Sequence, residues 1–347
     1  FGISRRALAL SQTEEAGGIC INELTSIVVI IITATAVIDG SLTLGMMLAI
    51  QGVIGQLRGP LDDIMDMAYQ WQDVNISMER IDEIHAMDDE ETAQRHVTAV
   101  ADISIHLEHV SFKYDRMKST NILDDITLDI PQGRVTAIVG TSGSGKTTLA
   151  KLILGHYAPL QGHIDVGGTP LGSISLAWWR RQCGVVMQDG RLFEESIAQN
   201  IALGYDEIDP DRIEYAAHMA NILDYIDQLP MGFDTILYQG GQNLSNGQRQ
   251  RLLIARAIYR MPRLFVFDEA TNSLDTNNET AIVNNLQEVF HDKTVVLIAH
   301  RLSTVRHADN IVVLHQGRIA EQGTHQELVQ RRGMYYELVK NQLDIEE

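Results

Sequence analysis

Residues 134–150 read RVTAIVGTSGSGKTTLA, and the class of the fold follows from this run. A β-rich segment ends at Gly140, and the residues from Leu149 onward are typical of a helix. The pattern G-x-x-x-x-G-K-T lies between them, where glycines let backbone N–H groups turn inward around phosphate oxygens at the positive end of a helix. A glycine-rich turn with a chance lysine is the structural alternative. The residues predicted to bind phosphates are Gly140, Ser142, Gly143, Ser144, Gly145, Lys146, Thr147 and Thr148.

A second apolar strand predicts the rest of a phosphate-hydrolysing site. Residues 263–269 read RLFVFDE, so this run ends in two carboxylates. Asp268 is predicted to hold Mg²⁺ together with Thr147, and Glu269 to polarise an attacking water. Lys146 is predicted to contact the β- and γ-phosphates. An Asp-Glu pair after a strand is common on its own, but beside the phosphate loop it predicts catalysis by Glu269 and Lys146.

The run Leu244–Gln248 reads LSNGQ and resembles the signature motif of ATP-binding cassette proteins. It lies about 100 residues after the phosphate loop and shortly before the Asp-Glu strand, which is the order of that family. The resemblance covers residues 103–341 almost continuously. It implies ATP and Mg²⁺ as cofactors.

The same resemblance implies roles for four further positions. Gln188 is expected to reach Mg²⁺ and His300 to contact the γ-phosphate as a third catalytic residue. Tyr114 is expected to stack on adenine, an arrangement worth roughly 1–3 kcal/mol per base in other settings. Asp275 belongs to a segment, Ser273–Asp275, that resembles the D-loop.

The family resemblance also implies a dimer. Two cassettes are expected to face each other head to tail, so that ATP bridges the phosphate loop of one chain and the signature segment of the other. The signature residues expected to touch nucleotide are Ser245, Gly247 and Gln248. Hydrolysis would remove the bridge and open the dimer.

Asn246 departs from the family pattern, which has glycine at this position. Asparagine is the side-chain-bearing residue that best tolerates a positive φ, so the loop is expected to keep its shape. The helix is expected to begin at Gln248. Slower turnover through a weakened contact between subunits is the alternative.

The distribution of apolar and polar residues along the chain predicts two domains. Residues 1–95 carry long apolar runs and are predicted to be the C-terminal fragment of a membrane domain, with residues 96–102 as a linker. Residues 103–347 alternate β-rich and helical patterns and are predicted to form an α/β ATPase domain of the P-loop type with a helical subdomain.

Two apolar runs, 24–38 and 42–57, flank a turn at Asp39–Ser41. They predict a helical hairpin across a bilayer, although each run is short of the roughly 20 residues that a span needs. A buried hairpin in a soluble domain is the alternative. With the ATPase part in the cytoplasm, Arg5 and Arg6 fall inside, in accord with the positive-inside tendency. Apolar residues spaced three and four apart over 61–85 predict a cytosolic stalk helix.

Composition limits the function classes. The formal net charge is −19, whereas a duplex-binding protein needs a basic face, so no nucleic-acid partner is expected. The two cysteines, Cys20 and Cys183, form no metal-binding spacing. A soluble cassette ATPase acting on nucleic acid or ribosomes and an ATP-binding module without turnover are the competing classes.

A hairpin and stalk ahead of a cassette resemble an exporter half-transporter with the last two of its six membrane helices. Residues 37–45, 54–57 and 76–85 resemble bacterial peptidase-containing peptide and bacteriocin exporters. The resemblance implies a plasma-membrane protein with a cytoplasmic ATPase domain. It also implies a homodimer or paired half-transporter, contacts with lipid, further helices N-terminal to Phe1, and a peptide substrate. Lipid or drug export is the alternative.

Overall fold

The computed structural model describes residues 2–86, 90, 95–115, 120–238, 240–270, 276–299 and 305–346. The chain divides into two compact units between residues 89 and 90. The predicted bounds, 1–95, 96–102 and 103–347, stay a prediction. Each unit is described by itself below.

The first unit consists of two long helices, α1 (Gly2–Ile38) and α2 (Leu44–His85). The predicted turn separates them, with Gly40 at φ 73°, a backbone conformation that suits glycine. The Thr43 hydroxyl caps α2 by accepting a hydrogen bond from the Met46 N–H at 3.3 Å. The helices face each other around Ile30 and Ile54.

The structure joins two predicted segments of this unit into one helix. Helix α2 runs without a break from Leu44 through Pro60, so the second apolar run and the predicted stalk are one helix. In the part of the chain that is described, one segment, Ala16–Ile38, is long and apolar enough to cross a membrane, with a mean hydropathy of 2.1. The run 42–57 does not meet that criterion within the described residues. A hairpin of two spans stays a prediction.

The second unit contains two sheets. The four-stranded antiparallel sheet has the order β2-β1-β4-β5, and the six-stranded sheet has the order β10-β9-β3-β8-β7-β6. In the larger sheet every neighbouring pair is parallel except β9 with β10. The strands are β1 (Ile105–Phe112), β2 (Leu123–Ile130), β3 (Val135–Gly140), β4 (Gln161–Val166), β5 (Thr169–Pro170), β6 (Cys183–Val186), β7 (Leu264–Asp268), β8 (Thr294–Ile298), β9 (Asn310–His315) and β10 (Arg318–Gly323).

Helices cover both faces of the larger sheet and extend one end of the unit. They are α3 (Lys146–Ile153), α4 (Leu176–Gln182), α5 (Ile197–Ile201), α6 (Pro210–Met219), α7 (Leu223–Asp227), α8 (Asn246–Tyr259), α9 (Thr276–Val289), α10 (His325–Arg331) and α11 (Met334–Glu346), with 3₁₀ turns at Leu171–Ser173 and Gly232–Asp234. Helices α5 to α8 form the predicted helical subdomain. The α/β fold class is confirmed.

The hydrophobic core is split by the larger sheet. Successive side chains of a strand point to opposite faces, so Ala137 and Val139 belong to one buried cluster while Ile138 belongs to the other. Both faces are apolar, as expected for parallel strands covered on both sides. The carboxyl ends of β3 and β7 therefore sit on a rigid base, and the candidate site lies just beyond them.

The residues just before β1 lie along the second unit. Val97 donates its N–H to the Ser173 carbonyl at 3.0 Å and accepts from the Ser175 N–H at 2.9 Å. Arg95 donates to the Leu171 carbonyl at 3.1 Å. The predicted linker 96–102 is thus attached to the fold by hydrogen bonds.

The two cysteines have opposite surroundings. Cys183 is buried in β6, where its thiol donates to the Trp179 carbonyl at 3.2 Å, and burial raises the pKa of that thiol. Cys20 is exposed on α1. Neither is in a disulfide.

Candidate active site

The phosphate loop connects β3 to α3 through three glycines with positive φ. The φ angles are 151° at Gly140, 77° at Gly143 and 104° at Gly145. A Cβ at Gly140 would lie 2.1 Å from the Leu314 carbonyl oxygen, so no other residue fits there. Helix α3 begins at Lys146, three residues earlier than predicted. The loop thus has the left-handed turns that aim N–H groups at an anion.

Lys146 is fixed across this loop. Its side chain is buried, and its Nζ donates to the carbonyl oxygens of Gly140 at 2.9 Å and Thr141 at 3.0 Å. Burial lowers the pKa of the Lys146 ammonium, and the carboxylates of Glu269 and Asp268 raise it in part. The ammonium is therefore held in place before any ligand arrives, and an anion beside it would favour its charged form.

A cavity of about 380 Å³ opens at the phosphate loop. It brings together residues from the loop, from the segment after β6 and from the end of β7. Its lining consists of Ile122, Ser142, Gly143, Gly145, Lys146, Thr147, Thr148, Gln188 and Glu269. Eight of these nine residues were predicted from the sequence; Ile122 was not, because an isolated apolar residue carries no motif.

Asp268 and Ser144 are buried without hydrogen-bond partners. Both carboxylate oxygens of Asp268 and the Ser144 hydroxyl lack a partner in the described part of the chain. Burial raises the pKa of Asp268, while the nearby Thr147 hydroxyl and the Lys146 ammonium lower it in part. Buried polar groups are normally satisfied, so these atoms fit a bound ligand. Carboxylate and hydroxyl oxygens are ligands that Mg²⁺ accepts, so the residues present fit that ion.

Glu269 has a strained backbone. Its φ is 54°, an uncommon value for a residue other than glycine. Its N–H donates to the Ile298 carbonyl at 2.9 Å, so the neighbouring strand β8 holds the conformation. Residues with such uncommon backbone angles are frequent at functional sites, where the backbone conformation orients a side chain. The Glu269 carboxylate lines the cavity, as its predicted role requires.

Tyr114 lies beside the cavity and not in its lining. Its side chain is 48% exposed, and its hydroxyl forms a hydrogen bond of 3.2 Å with the Thr148 hydroxyl. The candidate adenine-binding ring is thus attached to the first turn of α3.

The signature segment begins a helix. Ser245 caps α8 by accepting from the Gln248 N–H at 3.1 Å, and the Gln248 side chain accepts from the Ser245 N–H at 2.8 Å. This capping box is exposed at Ser245 and lies outside the cavity lining, as does Gly247. Helix α8 starts at Asn246 and not at Gln248 as predicted. Asn246 forms the first turn of the helix and does not have a positive φ, so its tolerance of that conformation is not needed here.

Two predicted site residues cannot be placed. His300 and Asp275 lie outside the described residues, and so does the rest of Ser273–Asp275. Strand β8 ends at Ile298, two residues before His300.

Comparison with known proteins agrees with this geometry. The family described as ABC transporter matches residues 123–272. The toxin RTX-III translocation ATP-binding protein of Actinobacillus pleuropneumoniae is 38% identical over 339 residues, which are 97% of this chain and 47% of that protein. The leukotoxin export ATP-binding protein LtxB of Aggregatibacter actinomycetemcomitans is also 38% identical, over 96% of this chain and 47% of its own length.

A solved ABC exporter structure is also similar to this chain. A bacterial Atm1-family ABC exporter with ATP bound is 36% identical to this chain, with a TM-score of 0.73. The match covers 86% of this chain and 53% of that one. The chain spans about half the length of the relatives it matches.

Proposed function

We propose that the chain hydrolyses ATP to drive export across a membrane, because residues 123–272 match the ABC transporter family and the cavity at the phosphate loop suits a triphosphate. The observation that supports it most is the cavity lined by the glycine loop, the buried Lys146 and the strained Glu269, with the unpartnered Asp268 next to Glu269 in the chain. Phosphoryl transfer needs positioning and charge stabilisation more than covalent chemistry. This group of residues provides both.

The loop binds the triphosphate. Backbone N–H groups of the loop and the Lys146 ammonium contact the β- and γ-phosphates, while Tyr114 stacks on adenine. Thr147, Asp268 and Gln188 would hold Mg²⁺, which when bound neutralises charge that develops on the phosphate oxygens.

Hydrolysis depends on Glu269. Its carboxylate accepts a hydrogen bond from a water and orients that water in line with the γ-phosphorus. Lys146 stabilises the charge that builds up on the γ-phosphate, and His300 is proposed to contact the same group. The strained backbone fixes the Glu269 side chain without reorganisation at the moment of reaction.

The active form is proposed to be a dimer or a paired half-transporter. Ser245 caps its own helix and is exposed, so its hydroxyl is open to a second chain. Ser245, Gly247 and Gln248 of one copy would close over the phosphate loop of the other, with Asp275 nearby. ATP then joins the two copies, and hydrolysis separates them.

The cargo is proposed to be a peptide or protein. The relatives named above are toxin translocation and leukotoxin export proteins, and they match almost the whole of this chain. The apolar segment Ala16–Ile38 supports a place in the plasma membrane, with the ATPase domain in the cytoplasm. Further membrane helices would complete the transport path.

Phosphate release from the purified chain in detergent tests this function. The wild-type protein is expected to release phosphate from MgATP. Glu269→Gln should still bind ATP but release phosphate at least about 100-fold more slowly, within the range for general-base catalysis. Equal rates in the two proteins would contradict the assigned catalysis. Absence of ATP binding by the wild type would contradict the proposed function altogether.

A further inference from the structure

Three aromatic rings meet beside the phosphate loop. The centroid of the Tyr114 ring lies 5.1 Å from that of Phe112 and 5.2 Å from that of Tyr157, and the last two lie 5.4 Å apart. Phe112 is 5% exposed, whereas Tyr157 is 42% exposed. The sequence pattern predicts a role for Tyr114 alone, so Tyr157 has no role in the proposed mechanism.

Both neighbours meet Tyr114 at nearly right angles. The interplanar angle is 86° with Phe112 and 83° with Tyr157. Perpendicular aromatic pairs are favoured by the ring quadrupoles. Neither neighbour is therefore stacked parallel to the Tyr114 ring, which is the arrangement proposed for an adenine base.

Tyr157 is itself fixed at both sides. It lies in the segment between α3 and β4, where His156 donates its N–H to the Lys151 carbonyl at 2.9 Å. Leu160 donates its N–H to the Ser111 carbonyl at 2.9 Å. The segment is thus attached to the end of α3 and to β1.

Tyr114 consequently makes two contacts with the α3 region. Its hydroxyl bonds to Thr148 in the first turn of α3, and its ring contacts Tyr157 just after that helix. Because α3 begins at the phosphate loop, these two contacts fix the distance between the Tyr114 ring and the phosphate-binding backbone.

We propose that Tyr157 is a positioning residue for adenine recognition. It holds the Tyr114 ring at the distance from the phosphate loop at which the base of a bound ATP lies. The inference rests on the proposed function. Loss of the Tyr157 ring leaves Tyr114 free to change rotamer, so the base loses its preorganised partner while the phosphates keep theirs. Loss of the Tyr157 ring should therefore weaken the binding of a nucleotide and leave the binding of a ligand without a base unchanged.

The experiment compares MgATP with magnesium tripolyphosphate as ligands of the full chain in detergent. Tyr157→Leu removes the ring at a half-exposed position, and Tyr157→Phe is the matched control that keeps it. Each change is also made in a Tyr114→Ala background. Affinities are measured by calorimetry, and thermal unfolding without ligand checks that each variant is folded.

We expect Tyr157→Leu to weaken ATP binding roughly threefold to tenfold, the range of one perpendicular aromatic contact. Its affinity for tripolyphosphate should match the wild type, and Tyr157→Phe should bind both ligands normally. With Tyr114→Ala in place, Tyr157→Leu should weaken ATP binding no further.

Equal weakening for ATP and tripolyphosphate would overturn the proposal, because it would show a disturbed loop. So would an undiminished effect in the Tyr114→Ala background, or normal ATP binding by Tyr157→Leu. A wild-type chain that binds neither ligand would instead contradict the proposed function, which separates the two failures.

Discussion

At the residue scale, the Asp268 carboxylate is buried at a position where its charged form destabilises the folded protein. It is fully buried at the end of β7, and neither of its oxygens has a partner within the described chain. A buried unpaired carboxylate costs stability unless a cation or donors compensate. The ligand-free protein thus gives up stability for a site that ATP and Mg²⁺ would satisfy.

The pH dependence of unfolding should reveal this cost. Burial raises the pKa of Asp268 above its ordinary value of 3.8, so the folded state binds more protons than the unfolded state between the two pKa values. The contribution of this group to stability therefore falls as pH rises from about 3.8 through the folded pKa. Asp268→Asn should remove that decline and unfold at higher urea near neutral pH.

Urea titrations of the ligand-free protein between about pH 4.5 and 7.5 provide the measurement. This range begins about one pH unit above the pKa of an unfolded aspartate and ends about four units above it. Asp206→Asn, at an exposed position, is the control. Parallel pH profiles for the wild type and Asp268→Asn would argue against a buried charge at this site.

Ser144→Ala should have opposite effects with and without ligand. The Ser144 hydroxyl is buried and unpartnered, and leaving such a group unsatisfied costs about 1–3 kcal/mol. The ligand-free variant should therefore be as stable as the wild type or more stable, while the rise in melting temperature on adding MgATP should shrink. Thr120→Ala, at an exposed position outside the cavity lining, is the control. A clear loss of stability without ligand would mean that the hydroxyl has a structural partner.

Sequence patterns predicted which residues meet at the cavity but not their backbone conformations. Lys146 and Gln188 were found because their roles depend on residue type and order along the chain. The left-handed backbone of Glu269 was missed, because its hydrogen bond to Ile298 on another strand imposes it. The helical conformation of Asn246 was missed because the capping box that starts α8 is a contact between Ser245 and Gln248.

At the element scale, the N-terminus of α8 has two proposed tasks that mutation can separate. Ser245→Ala removes the cap and should lower stability by about 1 kcal/mol. Ser245→Asp keeps a capping oxygen and adds a favourable charge at the helix N-terminus, so its stability should stay near that of the wild type. Both variants should fail to form the ATP-dependent dimer, since neither offers a neutral hydroxyl to the partner's phosphates.

Chemical unfolding and the molar mass in solution with MgATP distinguish the two tasks of Ser245. A Ser245→Asp variant that dimerises normally would show that the cap is this residue's only function. Loss of dimer in Ser245→Ala alone would point to the same conclusion.

Helix α2 shows a limit of local sequence reasoning. The sequence predicted an apolar run over 42–57 and a stalk helix over 61–85, whereas the structure has one helix from Leu44 to His85. Proline removes one hydrogen bond and favours a kink, but it does not end a helix that has well-formed turns on both sides. The α/β class, in contrast, was predicted, because buried strands such as β7 have uninterrupted apolar runs.

At the scale of the whole molecule, nucleotide should control the assembly. Glu269→Gln with MgATP in detergent is expected to have a protein mass of twice 38.7 kDa, because ATP persists between the two copies. Without nucleotide, and in Lys146→Ala with nucleotide, one copy is expected. Light scattering that separates protein from detergent mass provides the measurement.

A loaded Glu269→Gln protein that stays monomeric well above its ATP affinity would contradict ATP-bridged dimerisation. A dimer that forms equally without nucleotide would contradict nucleotide control. The compact units divide between residues 89 and 90, and Val97 beyond that point is attached to the second unit by backbone hydrogen bonds that leave no trace in composition.

The contrast between the two cysteines makes the natural chain convenient for spectroscopy. Thiol-reactive dyes attack the thiolate, and burial at Cys183 suppresses both ionisation and access. Cys20 lies within the apolar segment Ala16–Ile38, so the rate at which a maleimide fluorophore attaches there measures whether water or lipid and detergent surround that part of α1. A change in that rate when MgATP is added would show that nucleotide in the second unit alters the surroundings of α1.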